Sequence, residues 1–98
     1  MQARVVTGQL QPGKQDEAVQ VYRESVLPDA RQQRGFKGAM YLVDRSANKA
    51  ISITLWQTEA DALASGAGSA HLQAQIAKAT SHLTAAPVIE TYEVAVQE

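Results

Sequence analysis

Apolar and polar residues alternate along Phe36 to Gln57, FKGAMYLVDRSANKAISITLWQ, and a polar stretch at Ser46-Ala47-Asn48-Lys49 breaks the alternation once. A period of two on both sides of a polar break predicts a β-hairpin. With a four-residue loop, Arg45 faces Ala50 and pairing continues outward from there. One face of the ribbon then carries Met40, Leu42, Ile51, Ile53 and Leu55, apolar apart from Asp44 near the turn. The other carries Ala39, Tyr41, Val43, Ser52, Thr54 and Trp56, a mixture of rings and hydroxyls. The first set reads as the core face. The second is too aromatic for solvent and too polar for plain core, so it is expected to be covered from outside the subunit.

Residues 2–10 predict a first strand with apolar side chains on both faces, Val5 on one and Val6 and Leu10 on the other, as suits a central strand. After the turn at Gln11-Pro12-Gly13, Asp16 and Glu17 sit where a helix N-terminus favours acids. Ala18, Val21, Tyr22 and Val26 form the buried stripe of that helix. Leu27-Pro28 is expected to interrupt it, with a short second piece over Asp29 to Arg34 ended by Gly35. Beyond Trp56, Thr58-Glu59-Ala60-Asp61 has the form of a capping box and starts a short helix that stops near Gly66-Ala67-Gly68. Ser69 caps a last helix whose stripe is Leu72, Ile76, Ala79 and Leu83, closed by Ala86-Pro87. Val88 to Val96 is the last strand, with Val88, Tyr92, Val94 and Val96 on one face.

The order β-α-β-β-α-β is that of the ferredoxin-like α+β fold: a four-stranded antiparallel sheet with helices on one face. Residues 1–98 are read as a single domain, without repeats or linkers. Placing Met40, Leu42, Ile53 and Leu55 under the helices leaves Tyr41, Thr54 and Trp56 to be covered by a second copy. A homodimer through the sheet face follows from that reading.

Composition narrows the chemistry. Hydrophobic content of 45% with 19% charged residues is that of a globular chain. A formal net charge of −1 provides no footprint for nucleic acid or an anionic membrane. No apolar run is long enough to span a bilayer, and the first ten residues lack a signal-peptide layout, so a cytoplasmic location is expected. With no cysteine, disulfides, thiolate nucleophiles and thiolate-held metals are excluded. Arg34-Gly35-Phe36-Lys37-Gly38 superficially matches the opening of an RNA-recognition strand motif. It has lysine at the fourth position, lacks the fifth aromatic, and falls on the second strand, so no nucleic-acid partner is inferred.

Gly35-Phe36-Lys37-Gly38, the strand end Leu42-Val43-Asp44, Trp56 before a capped helix, and the pair Ala70-His71 together resemble the antibiotic-biosynthesis-monooxygenase family of the dimeric α+β barrel superfamily. The resemblance covers essentially the whole chain. It implies a two-fold dimer with facing sheets and one pocket per subunit between sheet and helices. It also implies either oxidation of polycyclic aromatics or quinols without metal or flavin, or haem degradation, and many members have no known substrate. The haem-degrading branch uses an asparagine on the first strand, a second tryptophan on the helix after the third, and a histidine on the last long helix. Here those positions hold Thr7 and the ringless Ala64 and Ser65, so haem degradation is not expected.

Oxidising a phenol with dioxygen and no cofactor needs a base and a dry, aromatic-walled pocket that positions the substrate. His71, in the first turn of the last helix and on the flank of its core stripe, is the candidate catalytic base or hydrogen-bond partner. Trp56, Tyr22, Phe36 and Met40 are the candidate substrate-binding walls, although each also suits ordinary packing. Arg4 and Arg23 could meet an anion but are set aside as common surface residues. His82 is about 16 Å from His71 along an ideal helix and reads as a solvated residue. The two histidines cannot share an ion, so no metal site and no cofactor are expected.

The favoured expectation is a cytoplasmic, homodimeric, monooxygenase-like enzyme acting on a small aromatic or apolar molecule. The alternative is a non-catalytic dimer of the same fold that binds a small ligand or serves only as a structural module. A cavity of a few hundred Å³ reaching His71 would favour the enzyme, and a filled core would favour the alternative.

Overall fold

The computed structural model describes residues 1–66 and 69–98. The elements are β1 (Gln2–Gln9), α1 (Gln15–Val21), a π-helical turn (Tyr22–Val26), α2 (Leu27–Arg31), β2 (Phe36–Asp44), β3 (Lys49–Trp56), α3 (Glu59–Ala64), α4 (Ala70–Ala79) and β4 (Val88–Glu93). The sheet order is β2-β3-β1-β4, and every pairing is antiparallel. This is the ferredoxin-like arrangement. β1 lies centrally, as its two apolar faces imply.

The hairpin forms, with its loop at Arg45 to Asn48 and Asp44 opposite Lys49. Its register is therefore two residues from the expected one. A shift of two keeps every side chain on its face, so the two sets of residues stay together.

What changes is the side each set occupies. Tyr41, Ser52, Thr54 and Trp56 lie under the helices. Tyr22 stacks on Tyr41 with ring centroids 4.4 Å apart, and its hydroxyl lies 3.0 Å from Ser52 Oγ. Trp56 is fully buried. Met40 and Leu42 lie on the opposite face and are 51% and 45% exposed. Strand pairing puts Ile51, Ile53, Leu55, Val5, Val88 and Tyr92 on that same outer face. The physical reason is that hydroxyls and indole need hydrogen-bond partners, and the helices supply some of them while neighbouring strand residues supply others. The outer set is mostly aliphatic and makes few demands for specific partners, so it is the set left uncovered.

Three boundaries also differ from the pattern. Pro28 does not break the helical run but enters the first turn of α2. The π-helical turn before it absorbs the mismatch, with the Leu27 amide donating to the Tyr22 carbonyl five residues back. α4 stops at Ala79, because residues 82–84 are drawn to the end of β1. The Gln11 amide donates to the His82 carbonyl at 2.9 Å, the Thr84 amide donates to the Gln9 carbonyl at 2.9 Å, and Leu83 bridges Leu10. β4 ends at Glu93, and Val96 is exposed. Both expected caps are present. Thr58 Oγ1 accepts from the Asp61 amide and Ser69 Oγ from the Leu72 amide, each at 3.1 Å. The expected stop at Gly66-Ala67-Gly68 falls partly outside the described residues; α3 itself ends at Ala64.

Two glycines have positive φ for different reasons. Gly13 (φ 79°) has open space around it, whereas at Gly35 (φ 81°) an added Cβ would collide with the Asp61 side chain. Gly13→Ala is expected to cost about 1–2 kcal/mol from the backbone alone. Gly35→Ala should cost more, because Asp61 must move as well. Urea denaturation of the two variants checks the order.

Candidate functional site

The inner face of the sheet carries two adjoining clusters. The first surrounds Trp56 at the end of β3. Its indole N–H donates to Thr54 Oγ1 at 2.9 Å, two residues away on the same strand face. Phe36 meets it edge-on at 5.9 Å and His71 at 6.2 Å between ring centroids. Arg4 of β1 lays its guanidinium 4.8 Å from the indole centroid, a cation–π contact strengthened by burial. The same guanidinium donates to the carbonyls of Ser65 and Ala62 and to Ser65 Oγ, at 2.8, 3.1 and 2.7 Å. Arg4 thereby closes the C-terminal end of α3. Burial lowers its pKa from the ordinary arginine value. It is a buried structural cation, not a surface one.

His71 belongs to this cluster and is buried; it does not stand at a cleft mouth. Its Nδ1 lies 2.8 Å from Asp29 Oδ2 on α2, and its Nε2 lies 3.1 Å from Gln75 Nε2. A carboxylate only accepts, so Nδ1–H donates to Asp29 and Nε2 accepts from the Gln75 amide. Asp29 thus sets the tautomer, and His71 sets the position of Gln75.

Gln75 leads into the second cluster, a cleft between α1, α4 and the sheet. The cleft has a volume of about 70 Å³ and is partly open to solvent. Val6, Val26, Leu72, Ile76 and Leu83 contribute apolar wall; Tyr22, Ser52, Gln75 and His82 contribute polar groups. Among the described residues, no Asp, Glu, Lys or Arg lines it. Burial, and secondarily Tyr22, pushes the Tyr41 phenol up to about 12. Burial also raises Tyr22, against the opposing Ser52 hydrogen bond. Both phenols therefore remain protonated at neutral pH and serve as hydrogen-bonding groups, not bases.

Of the residues singled out from sequence, Tyr22 lines this cleft. Trp56, Phe36 and His71 are brought together beside it, and His71 is linked to it through Gln75. Met40 lies on the outer face, away from Trp56, Phe36 and His71, and borders an open groove of about 260 Å³ that Tyr22, Arg23, Leu27 and Tyr41 also line. Its expected place on the helix-facing side is therefore corrected. His82, expected in solvent, is 3% exposed and lines the cleft. The helix ends before it, so the helical projection that placed it outward does not apply. Thr80-Ser81, weak helix formers, were the available signal for that early stop. Gln75 was legible as the i+4 neighbour of His71. Asp29 was not, because it comes from a separate helix.

No family model and no curated protein matches the chain. Solved structures do share its fold. A protein of unknown function from Nitrosomonas europaea, NE2512, is 24% identical, with 99% of this chain and 91% of that one covered at a TM-score of 0.75. A monooxygenase from the gene ActVA-Orf6 of Streptomyces coelicolor, in complex with nanaomycin D, is 20% identical over 99% and 91% of the two chains, TM-score 0.74. An antibiotic biosynthesis monooxygenase is 18% identical over 99% and 100%, TM-score 0.73. The chain has the antibiotic-biosynthesis-monooxygenase fold.

Burial lowers the His82 pKa, with the Glu17 charge acting in the opposite direction. A histidine held neutral in this way stabilises the fold above its unfolded pKa of about 6.5. That contribution is lost as pH falls through the lower folded value. Thermal melting of the wild type should therefore weaken between neutral and mildly acidic pH, and the loss should be smaller in His82→Leu.

Proposed function

We propose that the protein is a homodimeric, cofactor-independent oxygenase for a small hydroxylated aromatic, bound in the cleft between helices and sheet. The observation that carries this reading is the cleft itself, whose walls are mostly apolar and whose few polar groups converge from β3, the π-helical turn, α4 and the segment after α4. The shared fold with monooxygenase structures supports the same reading. The volume of about 70 Å³ sets the size class. A cavity of about 150 Å³ accepts benzene, so this cleft suits one ring lying partly in its open side, not a fused polycycle.

For a phenol unsubstituted at the para position, the reaction balances without another reductant. Loss of the hydroxyl proton gives an electron-rich anion that passes an electron to dioxygen. One oxygen atom becomes the new ring carbonyl and the other leaves as water. The four electrons come from the substrate as phenol becomes quinone. Tyr22 contributes wall and hydrogen bond, while Trp56 and Phe36 hold His71 in place. His71 acts through Gln75 as a positioning residue. The cleft is smaller than the few hundred Å³ expected of an enzyme site and His71 does not line it, which favours a second reading, a non-catalytic dimer that binds a single-ring ligand.

The dimer is proposed through the outer face, where Met40, Leu42, Val88 and Tyr92 are 45–58% exposed. An apolar sheet face of this kind is most simply covered by a second copy of itself. The expected sheet-to-sheet dimer is thus retained, through the aliphatic face and not the aromatic one. Leu42→Asp places a charge there and should weaken association by at least about tenfold, about 1.4 kcal/mol, in sedimentation at micromolar concentration.

Oxygen uptake with a panel of single-ring phenols and hydroquinones tests the reaction. Wild type should turn over at least one of them. Ala79→Leu, which fills the cleft, and Gln75→Leu should each slow it by about tenfold or more, in the range of lost positioning. Binding without uptake by the wild type would leave the non-catalytic reading in its place.

A further inference from the structure

Two voids meet at one pair of rings. The inner cleft of about 70 Å³ lies between the helices and the sheet. The open groove of about 260 Å³ lies between β2, an edge strand, and the helical run from Val19 to Leu27. Tyr22 and Tyr41 line both voids, and among the described residues no other side chain is common to the two linings. Their rings stack with centroids 4.4 Å apart and planes 18° from parallel. Rings this close touch across their faces and leave no gap for a ligand atom.

The two tyrosines are held differently. Tyr22 is 7% exposed, and its hydroxyl lies 3.0 Å from Ser52 Oγ. Tyr41 is half-buried and stands on β2, which has a neighbouring strand on one side only. Taking away the Tyr41 ring leaves the Tyr22–Ser52 contact and the pairing of β2 with β3 in place, and it joins the groove to the cleft. Beyond the stack, Val19, Leu27 and Met40 supply apolar wall on the groove side. A second ring fused to one already in the cleft finds room in that direction, and the stack closes it off.

We propose that the Tyr22–Tyr41 stack is the partition that limits the cleft to single-ring ligands, with Tyr41 as the specificity-determining residue. The inference rests on the reading of the cleft as the site for a hydroxylated aromatic, and it adds which side chain sets the size of that aromatic. Tyr41 takes no chemical step. The bulk of its ring sets the limit, and its hydroxyl does not.

The probes are phenol and 2-naphthol, which differ by one fused ring, titrated into the whole protein by calorimetry. The larger apolar area of 2-naphthol favours it wherever both molecules fit. Wild type should nevertheless bind phenol about tenfold or more tightly. Tyr41→Ala should remove or reverse that preference by tightening 2-naphthol about tenfold or more, with phenol changed by less than about threefold. Tyr41→Phe keeps the ring and should keep the wild-type order. Val19→Phe fills the groove from α1. It should leave the wild-type order alone and cancel the gain of 2-naphthol when combined with Tyr41→Ala. If Tyr41→Ala fails to fold, Tyr41→Leu, apolar and shorter than the ring it replaces, takes its place.

An unchanged ratio of the two affinities in the shortened Tyr41 variant would overturn the inference. So would a wild type that binds 2-naphthol as tightly as phenol, because the stack would then limit nothing. A gain of 2-naphthol that survives Val19→Phe would overturn it too, since the added room would not be the groove. Failure of wild type and variants alike to bind either probe would overturn the inference and the cleft reading together. A size limit that shifts with Tyr41, without any oxygen uptake, would support the inference and overturn the oxygenase alone.

Discussion

Most polar groups placed between the sheet and its helices are satisfied from within the chain, and the architecture is organised by those pairings. Tyr22 rests on Tyr41 and shares a hydrogen bond with Ser52; this joins the first helical layer to β2 and β3 at one point. Arg4, buried without a carboxylate within its hydrogen-bond set, is instead satisfied by the end of α3 and by the face of Trp56. A charge enclosed in this way is expensive to strip of partners. Its contacts therefore tie β1, β3 and α3 to one arrangement.

The same requirement explains the division of the inner face into two regions. Around Trp56 the donors and acceptors are paired and the rings pack edge to face, which makes a rigid block. Beside the cleft the pairing is incomplete, because His82 Nδ1 is enclosed without a partner among the described residues. The cleft itself is small and, among those residues, lined by no charged side chain. The π-helical turn borders it and begins at Tyr22. By absorbing Pro28 it keeps Tyr22 and Val26, both buried, directed at the sheet.

The outer face obeys a simpler rule. Its side chains are mostly aliphatic and need only to be removed from water, which a second apolar surface accomplishes regardless of detailed geometry. Removal of water demands area, and hydrogen bonds demand direction. That difference decides which face the helices take. The mixed face has to be matched atom by atom within the fold, while the aliphatic face can wait for association.

Period and punctuation along the chain were enough to determine the element order, the central place of β1, the caps at Thr58 and Ser69, and which hairpin residues share a face. These are local quantities, set by backbone geometry and by spacings of two or 3.6 residues. Tertiary structure alone decided which of the two hairpin faces meets the helices, because alternation has the same period on both. It also fixed the end of α4 at Ala79, a stop for which Thr80-Ser81 gave only a weak local signal. The hydrogen bonds that draw residues 82–84 onto the end of β1 join segments some seventy positions apart, and no local pattern encodes them. The burial of His82 is a consequence of that long-range contact.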